Sequence, residues 1–261
     1  MKLATVGDNC MDYYAALDKA YPGGNPVNVA VYFVRLGGEA SYTGVVGTDG
    51  YGQEMIDGIK AKGVDVSHLR KLEGKTAITQ VELVEGDRVF GDYDEGVLSE
   101  FSLDKEGIDF LCDHDMVVSG LWGNSEQYFE EIQARGVLTA FDAATRPEDE
   151  APKIAIKNTD YFFYATDDGD TEELRAQMRA YHKEGPKYVI VTLGEEGSLV
   201  YDGKEFYKYG IIATDVVDTM GAGDSYIAGF LKGALEKQEI LKCMEMGARN
   251  ATETIQYQGA W

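Results

Sequence analysis

Short apolar runs alternate with amphipathic segments along most of the chain. The apolar runs predict strands at Lys2–Val6, Thr43–Val46, Met116–Ser119, Val137–Phe141, Tyr161–Tyr164 and Tyr188–Leu193. The amphipathic segments predict helices at Pro26–Leu36, Gln53–Lys62, Glu126–Arg135 and Glu172–Lys183, from Ala222 onward, and from Leu241 to about Ile255. This alternation indicates βαβ units and a mostly parallel sheet covered on both faces. Because ligands of such sheets bind at the carboxyl ends of the strands, we expect a site in the turns there.

One stretch departs from this alternation. Ala77–Val84 alternates polar and apolar residues, Gly86-Asp87 is a turn signal, and Arg88–Tyr93 is predicted to be the partner strand. Together with Met11–Leu17, this hairpin predicts a small sheet outside the main one. We interpret the small sheet as a lid over the site.

Composition and charge disfavour several classes of partner. The chain has 261 residues, which suits one large α/β domain. Its net charge of -22 arises from 46 acidic and 24 basic residues, so we expect neither nucleic acid nor a membrane as a partner. Three cysteines without a CxxC pair favour reduced thiols in a cytoplasmic protein, and the scattered histidines indicate no transition-metal site.

The strongest chemical signal is DTMGAGDSYIAGF, residues 218–230. Gly221, Ala222 and Gly223 precede a helix, where backbone N–H groups and the helix dipole can hold an anion. Asp224 then lies beside that anion, where a phosphoryl-transfer base takes the proton of the attacking hydroxyl. A glycine turn with Asp224 as the helix N-cap is the other interpretation of GAGD by itself, and the thirteen-residue context favours the catalytic one.

Two further segments are candidate binding sites. In GGNPVNVA (residues 23–30), the glycines let a ligand approach the backbone, and Asn25 and Asn28 can bond sugar hydroxyls. An Asn-capped helix with Pro26 at its first position is the alternative. In VTLGEEG (residues 191–197), a buried strand opens into glycines that leave room for a nucleotide, and a plain β-turn is the alternative.

These two glycine motifs, GGNPVNVA and DTMGAGDSYIAGF, resemble the two signatures of the PfkB (ribokinase-like) family of carbohydrate kinases, and the resemblance extends along the whole chain. It implies an α/β fold: a ribokinase-like three-layer sandwich with a mostly parallel central sheet and a small β lid. It implies one kinase domain over residues 1–261, with the lid formed by about 10–18 and 76–96. ATP and Mg²⁺ are the implied cofactors, a monovalent cation is left open, and a homodimer is expected because many relatives pair through the lid.

The resemblance assigns roles by position. Asp224 matches the catalytic base, and Gly221, Ala222 and Gly223 match the anion hole. The positions matched to substrate binding are Asp12, Gly24, Asn25, Asn28 and, in the lid, Arg88 and Asp92; those matched to nucleotide binding are Thr192, Gly194 and Gly197. Asp168 stands in for the Glu of an NxxE element that helps hold magnesium through water, although the Asn of that element is missing. Asp142 in AFDAATR keeps part of a DxNxR pattern.

Further segments bear on the substrate. GDNCMDYY, TQVEL, DRVFGDY and TIQYQGAW resemble the branch of the family that phosphorylates a fructose–lysine adduct, an Amadori compound, at the sugar 6-hydroxyl. The acidic lid residues that crowd around Arg88 would favour the ammonium groups of this sugar-amine: Glu82, Glu85, Asp87, Asp92, Asp94 and Glu95. The alternative is ordinary solvated charge, since the whole protein is acidic.

Three rival functions are weighed against this one. The nearest is a PfkB-type kinase of another small sugar or a nucleoside. A sugar-binding sensor without activity is disfavoured by the intact GAGD. A nicotinamide dehydrogenase is disfavoured because the first strand ends in GDNCMD and not in a glycine-rich dinucleotide turn.

Overall fold

The computed structural model describes residues 1–84 and 87–261, with the side chains of residues 1–82 and 91–261. Its strands are β1 (Lys2–Val6), β2 (Cys10–Tyr14), β3 (Lys19–Gly23), β4 (Glu39–Gly47), β5 (Leu69–Leu72), β6 (Ile78–Val84), β7 (Asp87–Asp94), β8 (Met116–Gly120), β9 (Leu138–Asp142), β10 (Tyr161–Ala165), β11 (Tyr188–Thr192), β12 (Ser198–Tyr201) and β13 (Phe206–Tyr209). Its α-helices are α1 (Asn25–Arg35), α2 (Gly50–Ala61), α3 (Lys105–Cys112), α4 (Phe129–Ala134), α5 (Glu150–Ala155), α6 (Glu172–Glu184), α7 (Ala222–Leu235) and α8 (Ile240–Thr254).

The main sheet joins nine of the described strands in the order β13-β12-β11-β10-β9-β8-β1-β4-β5. All neighbours pair in parallel except β12 and β13, which add an antiparallel edge beside β11. Helices α1, α2, α7 and α8 supply the core on one face, and α3 to α6 supply the core on the other. The prediction of a three-layer α/β sandwich with a mostly parallel central sheet is confirmed.

The central strands bury both faces because their side chains alternate between the two cores. On β10, Phe163 packs with the α1 and α7 side while Phe162 packs with the α6 side. On β11, Ile190 and Val189 divide in the same way. A strand that is buried on both faces needs apolar residues at successive positions. These strands could therefore be predicted from uninterrupted apolar runs in the sequence.

A second sheet of four described strands has the order β3-β2-β6-β7. Strand β2 pairs in parallel with β6, and β6 forms an antiparallel hairpin with β7. The predicted small sheet is therefore present, with β3 as an additional strand that the pattern did not predict. Its service as a lid stays a proposal.

Several stretches differ from the sequence-based expectation, and among them β5, α3 and α5 were not predicted. The predicted helix Glu126–Arg135 begins with a 3₁₀ turn, and the α-helix starts only at Phe129. The reason is that the Ser125 hydroxyl donates to Ser119 Oγ at 2.6 Å and does not cap a helix. The antiparallel strands β12 (SLVY) and β13 (FYKY) were not predicted, because each has only four residues, too few to show a clear pattern. Within the described part of the chain, no helix is long and apolar enough to cross a bilayer.

Candidate active site

Four carboxylates converge where the two sheets meet helix α7. Asp8 follows β1, Asp12 lies on β2, Asp142 ends β9, and Asp224 lies in the first turn of α7. Asp8 and Asp12 are buried, Asp142 and Asp224 are half-buried, and Asp8, Asp12 and Asp142 each interact electrostatically with Asp224. The carboxyl edge of the main sheet is thus strongly acidic at its centre.

Two asparagines of α1 hold the carboxylate of Asp224. The amide nitrogen of Asn25 donates to Asp224 Oδ1 and to Asp142 Oδ2, both at 2.7 Å. The amide nitrogen of Asn28 donates to Asp224 Oδ2 at 2.7 Å. Because the two asparagines are three residues apart on one helix, they face the same side and each reaches one oxygen of Asp224.

This arrangement excludes the two capping interpretations. The N-cap of α1 is Gly24, without a side-chain cap bond, and the Asn25 amide turns to the carboxylates. The N-cap of α7 is Gly221, so Asp224 does not cap its helix. Gly24 itself has φ 109, and a Cβ there would lie 2.7 Å from Asn9 Cα, so only glycine fits this close approach.

The pKa of Asp224 is raised to about 6, chiefly by burial, while the amides of Asn28 and Asn25 lower it and the charge of Asp12 raises it. The carboxyl group is therefore ionised at neutral pH, yet its pKa is close enough to neutrality for it to accept a proton. That is the property a general base needs.

Asp8 and Asp142 have pKa values raised to about 7, first by burial and next by the charge of Asp224. The backbone N–H of Asn25 opposes this rise at Asp8, and the backbone N–H of Ala144 opposes it at Asp142. Even so, Asp8 Oδ1 is buried without a hydrogen-bond partner among the described residues. Sequence reasoning did not select Asp8 for the site, and it gave Asp142 no role.

Replacing Asp8 by Asn is expected to stabilise the protein at pH 8. In the wild type the pKa of Asp8 is about 7 in the folded state, whereas an ordinary aspartate in the unfolded chain has a pKa of 3.8. The unfolding free energy that this difference contributes at low pH is therefore lost as the pH rises towards 7. Asp8→Asn removes that loss, and we expect a gain of about 2–4 kcal/mol at pH 8 that shrinks at pH 5. Urea unfolding at both pH values measures it.

The matched control for this experiment is Asp160→Asn. Asp160 is equally buried, but it accepts hydrogen bonds from the Thr139 backbone at 2.9 Å and pairs with Lys187 at 2.8 Å. Its replacement should destabilise the protein at pH 8, because satisfied donors lose a charged acceptor. If Asp8→Asn destabilises the protein as much as the control does, the account of Asp8 is wrong.

The loop before α7 can bind an anion, but within the described chain it offers two free N–H groups and not the three that the sequence predicted. Gly221 adopts φ 73, and the N–H groups of Gly221 and Gly223 make no hydrogen bond to any described residue. The N–H of Ala222, by contrast, donates to the Thr219 carbonyl at 3.2 Å. In this conformation, two of the three expected N–H donors are available to an anion at the positive end of the helix dipole.

A half-buried arginine at the end of α1 links α7 to α1 and α8. Arg35, the last residue of α1, donates through Nη2 to Ser225 Oγ at 3.2 Å and to Thr254 Oγ1 at 2.8 Å. The same nitrogen donates to Asn250 Oδ1 at 2.5 Å, while Nη1 donates to Tyr257 Oη at 2.7 Å. Because Ser225 is adjacent to Asp224, this network sets the start of α7 relative to α1 and α8. The sequence gave no signal for it.

The residues predicted to bind nucleotide lie at the carboxyl end of β11. Thr192 ends that strand, and Gly194 has φ 54 with only Asp167 Oδ1, at 3.9 Å, near the position of a Cβ, so it borders open space. At Gly197 the packing of the protein itself requires glycine, because a Cβ there would lie 2.1 Å from the Tyr209 carbonyl on β13. Ser198 on β12 accepts a 2.8 Å hydrogen bond from Tyr226 of α7, which brings this region beside the anion loop.

The remaining predicted residues are placed as follows. Asp12 is 9% exposed, and a Cβ on Gly23 would lie 2.8 Å from its Oδ2, so the glycine makes room for this carboxylate. Asp92 is exposed on β7. The backbone of Arg88 lies in β7, but its side chain and that of Asp87 lie outside the described residues, as does Glu85 altogether.

A cavity of about 180 Å³ opens beside Asp12. Asp12, Tyr14 and Tyr21 of the small sheet line one side. Met220 of the anion loop and the segment Gln258–Trp261, which follows α8, line the other. A small polar ligand in this cavity would lie between the small sheet and the anion loop.

Comparison with known proteins decides the family. The chain matches the model of the pfkB family carbohydrate kinase over residues 4–113 and 125–261. The chain belongs to the pfkB family of carbohydrate kinases. This pfkB family kinase is therefore a phosphotransferase, and the family resemblance that the two glycine motifs indicated is confirmed.

Curated relatives of this pfkB family kinase include two proteins named fructoselysine 6-kinase. Those of Shigella flexneri and Escherichia coli (strain K12) are each 44% identical to it over 259 residues, which cover 99% of both chains. The fructosamine kinase FrlD of Bacillus subtilis (strain 168) is 32% identical and covers 100% of this chain and 93% of its own.

Solved structures share the fold of this pfkB family kinase. The ribokinase of Arabidopsis thaliana, complexed with ribose and ATP, has a TM-score of 0.89 at 21% identity and covers 99% of this chain and 93% of its own. The ribokinase of Thermotoga maritima has a TM-score of 0.83 at 19% identity, covering 100% and 94%. The predicted ribokinase-like architecture is thereby confirmed.

Proposed function

We propose that this kinase transfers the γ-phosphoryl group of ATP to the 6-hydroxyl of fructoselysine, giving fructoselysine 6-phosphate and ADP. The observation that carries the proposal is the 44% identity, over 99% of both chains, to proteins named fructoselysine 6-kinase. In the structure, the half-buried carboxylate of Asp224, which two asparagines hold near two available N–H groups, supports phosphoryl transfer.

In the proposed reaction Asp224 is the general base. The acceptor hydroxyl lies against its carboxylate, gives up its proton as it attacks, and the bond from the γ-phosphorus to the leaving ADP oxygen breaks. The Asn25 and Asn28 amides keep Asp224 ionised until that moment. The N–H groups of Gly221 and Gly223 hold the transferring phosphoryl group, with Ala222 completing the loop, and the family resemblance assigns Arg88 to the same group.

The residues fit a magnesium ion that arrives with the nucleotide. Among the described residues, no three His, Cys, Asp or Glu side chains are grouped to hold a metal. Mg²⁺ bound to ATP needs only one or two protein carboxylates, because phosphates and water fill its other positions. Asp168 is exposed after β10, with Oδ2 accepting from Thr166 Oγ1 at 2.9 Å, and would contact the ion through water. The ion would neutralise phosphate charge.

On the acceptor side, we propose that Asp12, Gly24, Asn25 and Asn28 bind the sugar. The small sheet would close over it and exclude water, which otherwise competes for the phosphoryl group. Exposed acids of the hairpin, including Asp92, would attract the ammonium groups of the lysine half. Thr192, Gly194 and Gly197 would border the nucleotide.

The small sheet also suggests a homodimer. Its edge strands β3 and β7 present backbone groups that a second copy of the chain can cover. A monomer by analytical sedimentation at working concentration would contradict this part of the proposal and leave the chemistry untouched.

A substrate panel tests the function directly. ADP release is measured with Mg-ATP and fructoselysine, fructose, fructose 6-phosphate, lysine or a nucleoside. We expect rapid turnover with fructoselysine and little with the others. Turnover with a different sugar or a nucleoside would keep the kinase chemistry but overturn the substrate. No turnover above the background ATPase rate with any of them would favour a binding protein.

A further inference from the structure

The segment Gln258–Trp261 runs back from α8 into the active site. Gly259 donates its backbone N–H to Asp218 Oδ2 at 2.7 Å, and Asp218 Oδ1 accepts from the backbone of Met220 at 3.0 Å. Asp218 opens the DTMGAGD motif. The segment is therefore fastened to the loop that leads to Gly221.

A buried tyrosine fastens the segment a second time. The carbonyl of Ala260 accepts hydrogen bonds from the hydroxyl of Tyr32 and, at 3.2 Å, from that of Tyr257. Tyr32 is fully buried on α1, and burial raises the pKa of its hydroxyl, so it stays a proton donor at neutral pH. With residues 259 and 260 both held, the position of Trp261 is closely determined.

Trp261 completes a hydrogen-bonded chain to the base. Its indole N–H donates to Asn28 Oδ1 at 2.7 Å, and the amide nitrogen of Asn28 donates to Asp224 Oδ2 at 2.7 Å. On its other side the ring faces Lys62, whose ammonium lies 5.5 Å from the ring centroid. Three side chains from three parts of the chain are thus joined in series.

The polarity of this chain is set by the tryptophan. An indole N–H can only donate, so it selects the oxygen of the Asn28 amide as its partner and turns the nitrogen towards Asp224. A reversed amide would place two donors face to face at Trp261 and two oxygens face to face at Asp224. Asn25 has no equivalent constraint, since its Oδ1 is buried without a partner among the described residues.

We propose that Trp261 is a positioning residue for phosphoryl transfer: its indole N–H fixes the orientation of the Asn28 amide, and thereby the donor that faces Asp224. This inference rests on the proposed role of Asp224 as the base. Trp261 is linked to Asp224 through Asn28, so we expect it to affect the ionisation and the orientation of the base and not the affinity for ATP.

Trp261→Phe tests the proposal, since it keeps an aromatic ring and removes the N–H. We expect kcat to fall roughly threefold to tenfold, the effect of one ordinary hydrogen bond. Because a donor to the ionised carboxylate is weakened, the acidic limb of the kcat/KM–pH profile, which reports the free enzyme, should move to higher pH. In the wild type the pKa of Asp224 in the free enzyme is about 6. The Kd of ATP should not change.

A double-mutant cycle separates positioning from general structural damage. In an Asn28→Ala background, Trp261→Phe should have no further effect on kcat or on the acidic limb. An equal loss in both backgrounds would overturn the proposal, as would a Phe variant with wild-type kcat and an unmoved limb. Lys62→Met, which removes the cation beside the ring but keeps the indole N–H, should leave kcat within about twofold because exposed cation–π contacts are weak.

Two further controls keep the test decisive. Thermal unfolding shows whether Trp261→Phe is folded; if it is not, Trp261→Tyr supplies a group that both donates and accepts, which should permit both amide orientations and still move the limb upward. Asp224→Asn is measured in parallel. If it keeps its kcat, the proposed base is wrong; if it is inactive while the Trp261 variants behave as wild type, only the positioning role is wrong.

Discussion

Asp224→Asn is expected to lower kcat by at least about a hundredfold while the Kd of ATP stays near its wild-type value. The substitution keeps the size of the side chain but removes the group that accepts the proton. It also places an amide nitrogen opposite the donor of Asn25 or Asn28, both of which lie 2.7 Å from the carboxylate. Steady-state ADP release measures kcat, and calorimetric titration with ATP measures the affinity.

Asp142→Asn is the matched control for that experiment. Asp142 is half-buried in the same cluster and shares the Asn25 amide, but its role in the structure is to accept hydrogen bonds from Asn25 and from Ala144. We expect its loss of kcat to be at least about tenfold smaller than that of Asp224→Asn, since one supporting hydrogen bond changes and the base remains. If kcat falls equally in the two variants, the assignment of Asp224 as the base and of Asp142 as a supporting hydrogen-bond acceptor is wrong.

Gly221→Ala and Gly223→Ala are expected to fail for different reasons. At Gly221 the backbone has φ 73, and a Cβ would lie 2.2 Å from the hydroxyl of Tyr32. Strain and overpacking together should cost about 2–4 kcal/mol of unfolding free energy, and kcat should fall as well. Gly223 has helical backbone and nothing within 4 Å of a Cβ, so Gly223→Ala should fold at least as well as the wild type.

Activity should nevertheless fall by about a hundredfold in Gly223→Ala, because the new methyl group occupies the space where an anion would meet the N–H groups. Urea unfolding and kcat, measured on the same two proteins, form the test. A destabilised Gly223 variant, or a Gly221 variant with wild-type stability, would contradict this division between a glycine needed by the fold and a glycine needed by the ligand.

Much of this site could be predicted because its parts are local in sequence. The glycines of residues 221–223 and Asp224 lie within one turn, and Asn25 and Asn28 lie on one helix, so each group is visible as a motif. The strands of the main sheet were equally visible, because burial on both faces leaves uninterrupted apolar runs such as Tyr188–Thr192.

The partnerships between those motifs could not be predicted. Asn25 and Asp142 are 117 residues apart in sequence, and Asn28 and Trp261 are 233 apart. They meet only because β9, β8 and β1 are neighbours in the sheet and because the segment after α8 turns back over α1. Asp8 offered no signal of its own either, since a single acid after a strand is common in any acidic protein.

The raised pKa values of Asp8 and Asp142 have a consequence for the proton balance of folding. At pH 6 the folded protein retains protons on Asp8 and Asp142, whose pKa values are about 7, whereas an unfolded chain with ordinary aspartates has released them. Unfolding near neutrality therefore releases protons from these two groups, and their contribution to stability falls as the pH rises through the range in which Asp224 becomes an effective base. A rise in pH therefore lowers the contribution of Asp8 and Asp142 to stability while it increases the ionised fraction of Asp224. The acidic cluster that supports catalysis thus makes folding and turnover depend on pH in opposite directions.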